Sequence, residues 1–264
     1  GGRGPAGMTT ALAVHGLRKA YGSRVALDGL DLEVPTGTVY GFLGPNGAGK
    51  TTTMRLLVGL IRPDAGRLEL LGQPYTWRDR QRLFHVGALI EAPSFYPFLS
   101  GRENLRAAAA TGAPIPRGRV EAMLELVGLR DRAGDKVGGY SLGMKQRLGI
   151  AAALLGDPDL LLLDEPANGL DPGGIVGMRD TLRQLAATGK TVLVSSHILP
   201  EVQQLADVVG IVARGKLVRE GRVEALLASS AVVRARLTAA EAATAQAAAA
   251  ARFGPDAVSV ETGG

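Results

Sequence analysis

Two short stretches, far apart in the chain, carry residue types suited to phosphate chemistry. The first is Gly44-Pro45-Asn46-Gly47-Ala48-Gly49-Lys50-Thr51-Thr52. It follows the apolar run Val39–Leu43 and precedes a helical pattern over Thr52–Leu60. A glycine-rich loop between strand and helix lets backbone N–H groups converge on phosphate oxygens, and the helix N-terminus adds the positive end of its dipole. Lys50 is expected to bind β- and γ-phosphate oxygens of a nucleoside triphosphate. The Thr51 hydroxyl is expected to ligate Mg²⁺. A plain glycine-rich turn is the alternative, and the strand–loop–helix context argues against it. The second stretch is Leu160–Leu163 followed by Asp164 and Glu165. Four leucines ending in two acids put the carboxylates at the C-terminal edge of a buried strand, where ligands bind in open α/β sheets. Asp164 is the expected metal partner, and Glu165 the expected general base toward water.

The elements that must position these groups are legible as short apolar runs. Strands are expected at Leu12–Val14, Val25–Val34, Val39–Leu43, Leu68–Leu71, Val86–Ile90, Leu160–Leu163, Val192–Ser195 and Val208–Val212. From Val39 onward they alternate with helix-like stretches, which predicts a largely parallel α/β sheet. Leu161–Leu163 and Val192–Val194 are continuously apolar, as strands covered on both faces are. Between about 101 and 156 the pattern is helical, over Arg102–Ala110, Arg117–Val127 and Leu142–Leu155, with no strand-like run. A helical subdomain inserted into the sheet domain is the expectation. The chain then divides into a leader or tag remnant (1–8), the main domain (9–228) and an alanine-rich tail (229–264), in which Thr238–Arg252 has high helix propensity.

Composition narrows the chemistry further. The 264 residues contain no cysteine, which removes disulfides, thiolate zinc sites, Fe–S clusters and cysteine nucleophiles. The net charge of +5 points only weakly to an anionic partner. No apolar run approaches the roughly 20 residues that span a bilayer. The start has no basic region followed by an apolar stretch, so no signal peptide is expected there.

Between the two stretches lies Tyr140-Ser141-Leu142-Gly143-Met144-Lys145-Gln146-Arg147. Ser141 just ahead of a helical run is a natural N-cap, and such a terminus also attracts anions. Here the sequence resembles the ATP-binding subunits of ABC transporters, whose signature motif usually reads Leu-Ser-Gly-Gly-Gln. Ser141 and Gly143 match it, whereas Tyr140, Leu142 and Met144 depart. The spacing agrees: Lys50 precedes Ser141 by 91 residues, and Asp164 follows it by 23. The remaining family elements come in order. Asn168-Gly169-Leu170-Asp171 resembles the D-loop that couples two sites across a dimer, although Ala167 replaces the usual Thr. Ser195-Ser196-His197 resembles the switch motif, in which His197 would contact the γ-phosphate and orient Glu165 and water. Tyr21 resembles the aromatic that stacks on adenine. Glu91 stands where the family usually has a Gln that ligates Mg²⁺ and senses the membrane subunit. The stretch Val86–Leu105, with Ser141–Arg147, resembles the ATPases of bacitracin- and lantibiotic-type exporters.

The resemblance, which covers about Leu12–Leu227, implies a P-loop ABC ATPase fold: a mostly parallel sheet, a small N-terminal antiparallel β part and the inserted helices. It implies ATP and Mg²⁺ as cofactors, with Thr51, Asp164 and Glu91 toward the metal. It implies a second ATPase subunit that supplies Ser141 and Gly143 in trans, and a separate transmembrane permease that meets the Glu91–Leu105 segment. The location would be peripheral, at the cytoplasmic face of the membrane, with a peptide antibiotic or other hydrophobic cargo and no nucleic-acid partner. The alternative is a soluble ABC-type ATPase acting on the ribosome or nucleic acid. Known forms of that class have long coiled coils, zinc cysteines or two fused cassettes, which this chain lacks. A third reading, an ATP-binding switch without turnover, sits poorly with Lys50, Asp164, Glu165 and His197 all in place.

Overall fold

The computed structural model describes residues 10–229 except Trp77 and Ala113, with side chains up to 226. The expected leader (1–8) and the helical expectation for Thr238–Arg252 lie outside the described residues. The chain divides into two units at 224/225, and only the first residues of the second are described, within a helix over Val223–Ser229.

Among the described residues, ten strands form two sheets. Strands β1 (Thr10–Tyr21), β2 (Arg24–Pro35), β4 (Ala65–Leu70) and β5 (Gln73–Tyr75) make an antiparallel sheet in the order β2-β1-β4-β5. Strands β3 (Val39–Leu43), β6 (Val86–Leu89), β7 (Leu160–Leu163), β8 (Thr191–Ser196), β9 (Val208–Ala213) and β10 (Lys216–Arg222) make the second, in the order β10-β9-β3-β8-β7-β6. That sheet is parallel throughout except for β10, which returns antiparallel along β9. The continuously apolar strands β3, β7 and β8 are buried along their whole length, as their sequences require.

Helix α1 (Lys50–Leu57) joins the layers. Its Met54, Leu56 and Leu57 share one apolar core with Leu12, Leu27 and Leu30 of the small sheet and with Tyr40, Phe42 and Leu162 of the large one. Each such side chain taken from water contributes about 1.5–3 kcal/mol, so the helix that opens at Lys50 is fixed from both sides. Helices α2 (Gly101–Ala110), α3 (Arg119–Leu126) and α4 (Leu142–Ala153) occupy the stretch between β6 and β7, where no strand forms among the described residues. Helix α2 starts with a reciprocal capping box between Ser100 and Glu103. Helix α5 (Pro172–Ala187) starts with the Asp171 side chain as N-cap and Pro172 in its first turn, and α6 (Leu199–Leu205) precedes β9. No helix among the described residues is long and apolar enough to cross a membrane.

Register aligns the strand ends. Leu89 pairs with Leu163, Leu163 with Val194, and Leu43 with Ser196. The C-terminal ends of β3, β8, β7 and β6 therefore form one edge, and the residues that follow them emerge side by side.

Candidate functional site

The loop from Gly44 to Gly49 leaves that edge from β3. Its first amide donates to the Ser196 carbonyl at 3.2 Å. Gly49 has φ +111°, and a Cβ there would lie 2.6 Å from Leu27 Cδ2 and 2.8 Å from the Ala26 carbonyl oxygen. Only glycine satisfies both the backbone conformation and the approach of the β1–β2 hairpin. Lys50 is 5% exposed, and its ammonium donates to the Gly44 carbonyl at 2.6 Å and the Pro45 carbonyl at 3.3 Å. It also lies 3.3 Å from Glu165 Oε1.

Two carboxylates follow β7, and each has its own partners. The Thr51 hydroxyl donates to Asp164 Oδ2 at 2.7 Å, and the Ser195 hydroxyl donates to Asp164 Oδ1 at 2.5 Å. The same Ser195 oxygen accepts from the Glu165 amide at 2.9 Å. The other Glu165 oxygen lies 2.8 Å from His197 Nδ1, an arrangement in which the ring N–H donates to the carboxylate. Glu165 is thus gripped between Lys50 and His197. Its backbone sits in the left-handed region at φ +49°, a conformation costly for a non-glycine residue and frequent at functional sites.

Of these groups, Lys50, Thr51 and Glu165 border a cleft of about 320 Å³. Its walls are Tyr21, Arg24 and Ala26 of the β1–β2 hairpin, loop and helix residues from Asn46 to Thr52, and Arg55 and Glu165. Two cations, Arg24 and Lys50, face it against one carboxylate, the third, Arg55, being paired with Glu91, and this balance favours a polyanion. Tyr21 is 45% exposed at the end of β1, with the Lys19 ammonium 5.7 Å from its ring centroid. A larger cavity of about 420 Å³, bordered by Arg147, Asp171, Met178 and neighbours from α3 to α5, has one cation and no glycine-rich loop.

The donor set also fits a small hard cation. Thr51 Oγ1 and the Asp164 carboxylate are neighbouring hard oxygens beside the phosphate loop. No cluster of three or more His, Cys, Asp or Glu ligands occurs among the described residues. Mg²⁺ is commonly held by one or two protein oxygens, with phosphates and water completing its shell.

The remaining sequence candidates lie off this cleft. Ser141 caps α4, accepting from the Met144 amide at 3.2 Å. A Cβ on Gly143 would come within 3.2 Å of the Gly169 carbonyl oxygen, so the start of α4 packs on the 168–171 loop. Asp171 accepts from the Gly174 amide at 3.0 Å. Neither Ser141, Gly143 nor Asp171 borders the nucleotide-sized cleft. Glu91, at φ +65°, forms an ion pair with Arg55. Sequence reasoning named Ser195 only as part of the switch motif, with no contact of its own, and did not single out Arg24 or Arg55. The signal for Ser195 was its place as the first polar residue after the apolar run of β8. The two arginines stand out only once the hairpin and α1 are seen to wall the same cleft.

Comparison with known proteins agrees with this geometry. The family profile "ABC transporter" matches residues 27–168. The chain is 47% identical over 214 residues to a bacitracin transport ATP-binding protein of Bacillus licheniformis, covering 81% of this chain and 70% of that one. It is 40% identical over 209 residues to a lantibiotic transport ATP-binding protein of Streptococcus pyogenes, covering 79% and 90%. Among solved structures, the ADP conformation of an ATP-binding cassette of an ABC transporter superposes with a TM-score of 0.74 at 25% identity, covering 83% of this chain and 95% of that one. A profile that matches more than half of the residues and relatives at this identity give the same answer: the chain belongs to the ABC transporter family, as a cassette that hydrolyses ATP.

Proposed function

We propose that this chain is the motor subunit of a membrane exporter, working as a pair of cassettes on Mg²⁺-ATP at the cytoplasmic face. The observation that carries the catalytic part is the grip on Glu165 between Lys50 and His197, beside the Thr51–Asp164–Ser195 chain. Lys50 and the loop amides hold the β- and γ-phosphates. Thr51 and Asp164 hold the metal, which supplies positive charge to the phosphate oxygens. Glu165 accepts a proton from water as its oxygen attacks the γ-phosphorus and the bond to the β–γ bridging oxygen breaks, leaving ADP and phosphate. His197 keeps the Glu165 carboxylate aimed, and Tyr21 offers a ring face to the base.

Ser141 and Gly143 serve the site of a second subunit. Leu142 between them is 57% exposed, which supports a partner covering this helix start. ATP drives closure of the pair because the closed state binds it more tightly than the open one. The permease contact falls on the 91–105 segment. Tyr96 and Phe98 are 57% and 66% exposed there, with ring centroids 5.8 Å apart. The similarity to bacitracin and lantibiotic transport proteins supports a peptide antibiotic or similar hydrophobic cargo.

Glu165→Gln tests the reading at both levels. The variant is expected to bind ATP and to lose turnover by roughly 10²–10⁴-fold, the usual contribution of a general base. Turnover at the parent rate would remove Glu165 from that role. The same variant, tagged and extracted from its own membranes in detergent with ATP, is expected to bring down a polytopic membrane protein. Recovery of ribosomes or nucleic acid instead would overturn the transport assignment.

A further inference from the structure

Helix α1 makes two parallel contacts, one helical turn apart. Thr51 and Arg55 stand at i and i+4, on one face. Thr51 reaches Asp164, just past β7, and Arg55 reaches Glu91, just past β6. The two strand ends are locked together: Leu89 pairs with Leu163, and the Asp164 amide donates to the Leu89 carbonyl at 2.8 Å. Glu91 and Glu165 are therefore equivalent positions on neighbouring strands, each two residues beyond that pair and each left-handed. Yet their carboxylates have different fates. That of Glu165 meets Lys50, and that of Glu91 meets Arg55.

We propose that Arg55 is a positioning residue for the nucleotide site, holding the Glu91 carboxylate against α1 and off the phosphate-binding end of the cleft. The inference rests on the nucleotide reading above. Arg55 borders the cleft and Glu91 does not, so the ion pair ties the carboxylate to a residue of the cleft wall from outside it. The side chains are 35% and 58% exposed, and an ion pair this open adds little to stability. What it determines is where a negative charge sits, and an unneutralised carboxylate beside a triphosphate repels it.

The test is a double-mutant cycle read as ATP affinity in EDTA by calorimetry, without metal or turnover. Arg55→Ala is expected to weaken binding roughly three- to tenfold, the effect of one freed charge at a partly exposed site. The same substitution added to Glu91→Gln is expected to cost less than about twofold, because no carboxylate is released. Arg55→Lys keeps a cation there and is expected to stay near the parent affinity. An equal loss in both backgrounds would overturn the proposal, since Arg55 would then act on the nucleotide directly. No loss in either background would overturn it as well. A parent chain that binds no ATP would instead remove the nucleotide reading, and this inference with it.

Discussion

Ser195 is fully buried at the end of β8, where one hydroxyl answers both acids of the site. It donates to Asp164 Oδ1 and accepts from the Glu165 amide. Ser195→Ala leaves a buried carboxylate oxygen and a backbone N–H without that partner, each worth about 1–3 kcal/mol. The expected outcome is a lower denaturation midpoint together with a fall in kcat that exceeds any change in KM, measured on the purified chain. Loss of stability with kcat intact would reduce Ser195 to a packing role. The phosphate loop and the Asp164–Glu165 pair were legible in the sequence because triphosphate chemistry admits few residue types at fixed spacing. Ser195 was not, because its contact with Asp164 spans 31 residues and depends on the register of β7 with β8. The partner of Glu91 was hidden for the same reason.

Elements were legible where burial dictates composition. Strands β3, β7 and β8 read directly as apolar runs. Strand β1 runs Thr10–Tyr21, much longer than the Leu12–Val14 run that marked it, because its outer half is exposed and polar. Strands β5 and β10 have largely exposed, polar faces and left no apolar trace. Helix α5 carries Gly173, Gly174 and Gly177, which lower its intrinsic propensity, and its Asp171 cap and the buried Met178 and Leu182 restore it. One side chain ties the segment before α2 to that helix. Asn104 is 3% exposed, accepts from the Tyr96 amide at 2.9 Å and donates to the carbonyls of Tyr96 at 3.0 Å and Ser100 at 3.0 Å. Asn104→Ala is expected to cost about 1–3 kcal/mol and to loosen the loop that presents Tyr96 and Phe98. Hydrolysis by the isolated chain should persist while capture of the membrane protein falls. If capture is undiminished, the aromatic pair is not the docking contact.

At the scale of the whole molecule, the residues expected to act on one nucleotide lie on two separate surfaces. The cleft holds Lys50, Thr51 and Glu165, and Ser141 with Gly143 lies elsewhere on the same chain. In the proposed pair, two copies related by a twofold axis would resolve this by presenting one surface to the other. Glu165→Gln with ATP is expected to elute as a dimer in size-exclusion chromatography and as a monomer without it. Adding Ser141→Arg should return the ATP sample to monomer. A dimer that survives that change would place the partner contact on another face. The order of the large sheet sets a further consequence. Strand β3, which carries the phosphate loop, is bonded to β8 on one side and β9 on the other. Strand β6, which leads to Glu91 and the aromatic loop, is an edge strand and has β7 as its only neighbour in the sheet among the described residues. The phosphate loop is therefore mounted on a strand bonded on both sides, and Glu91 follows one bonded on a single side. A displacement of the outer loop therefore reaches Asp164 first, through the bond its amide makes to the Leu89 carbonyl, before it reaches the phosphate loop two strands further on.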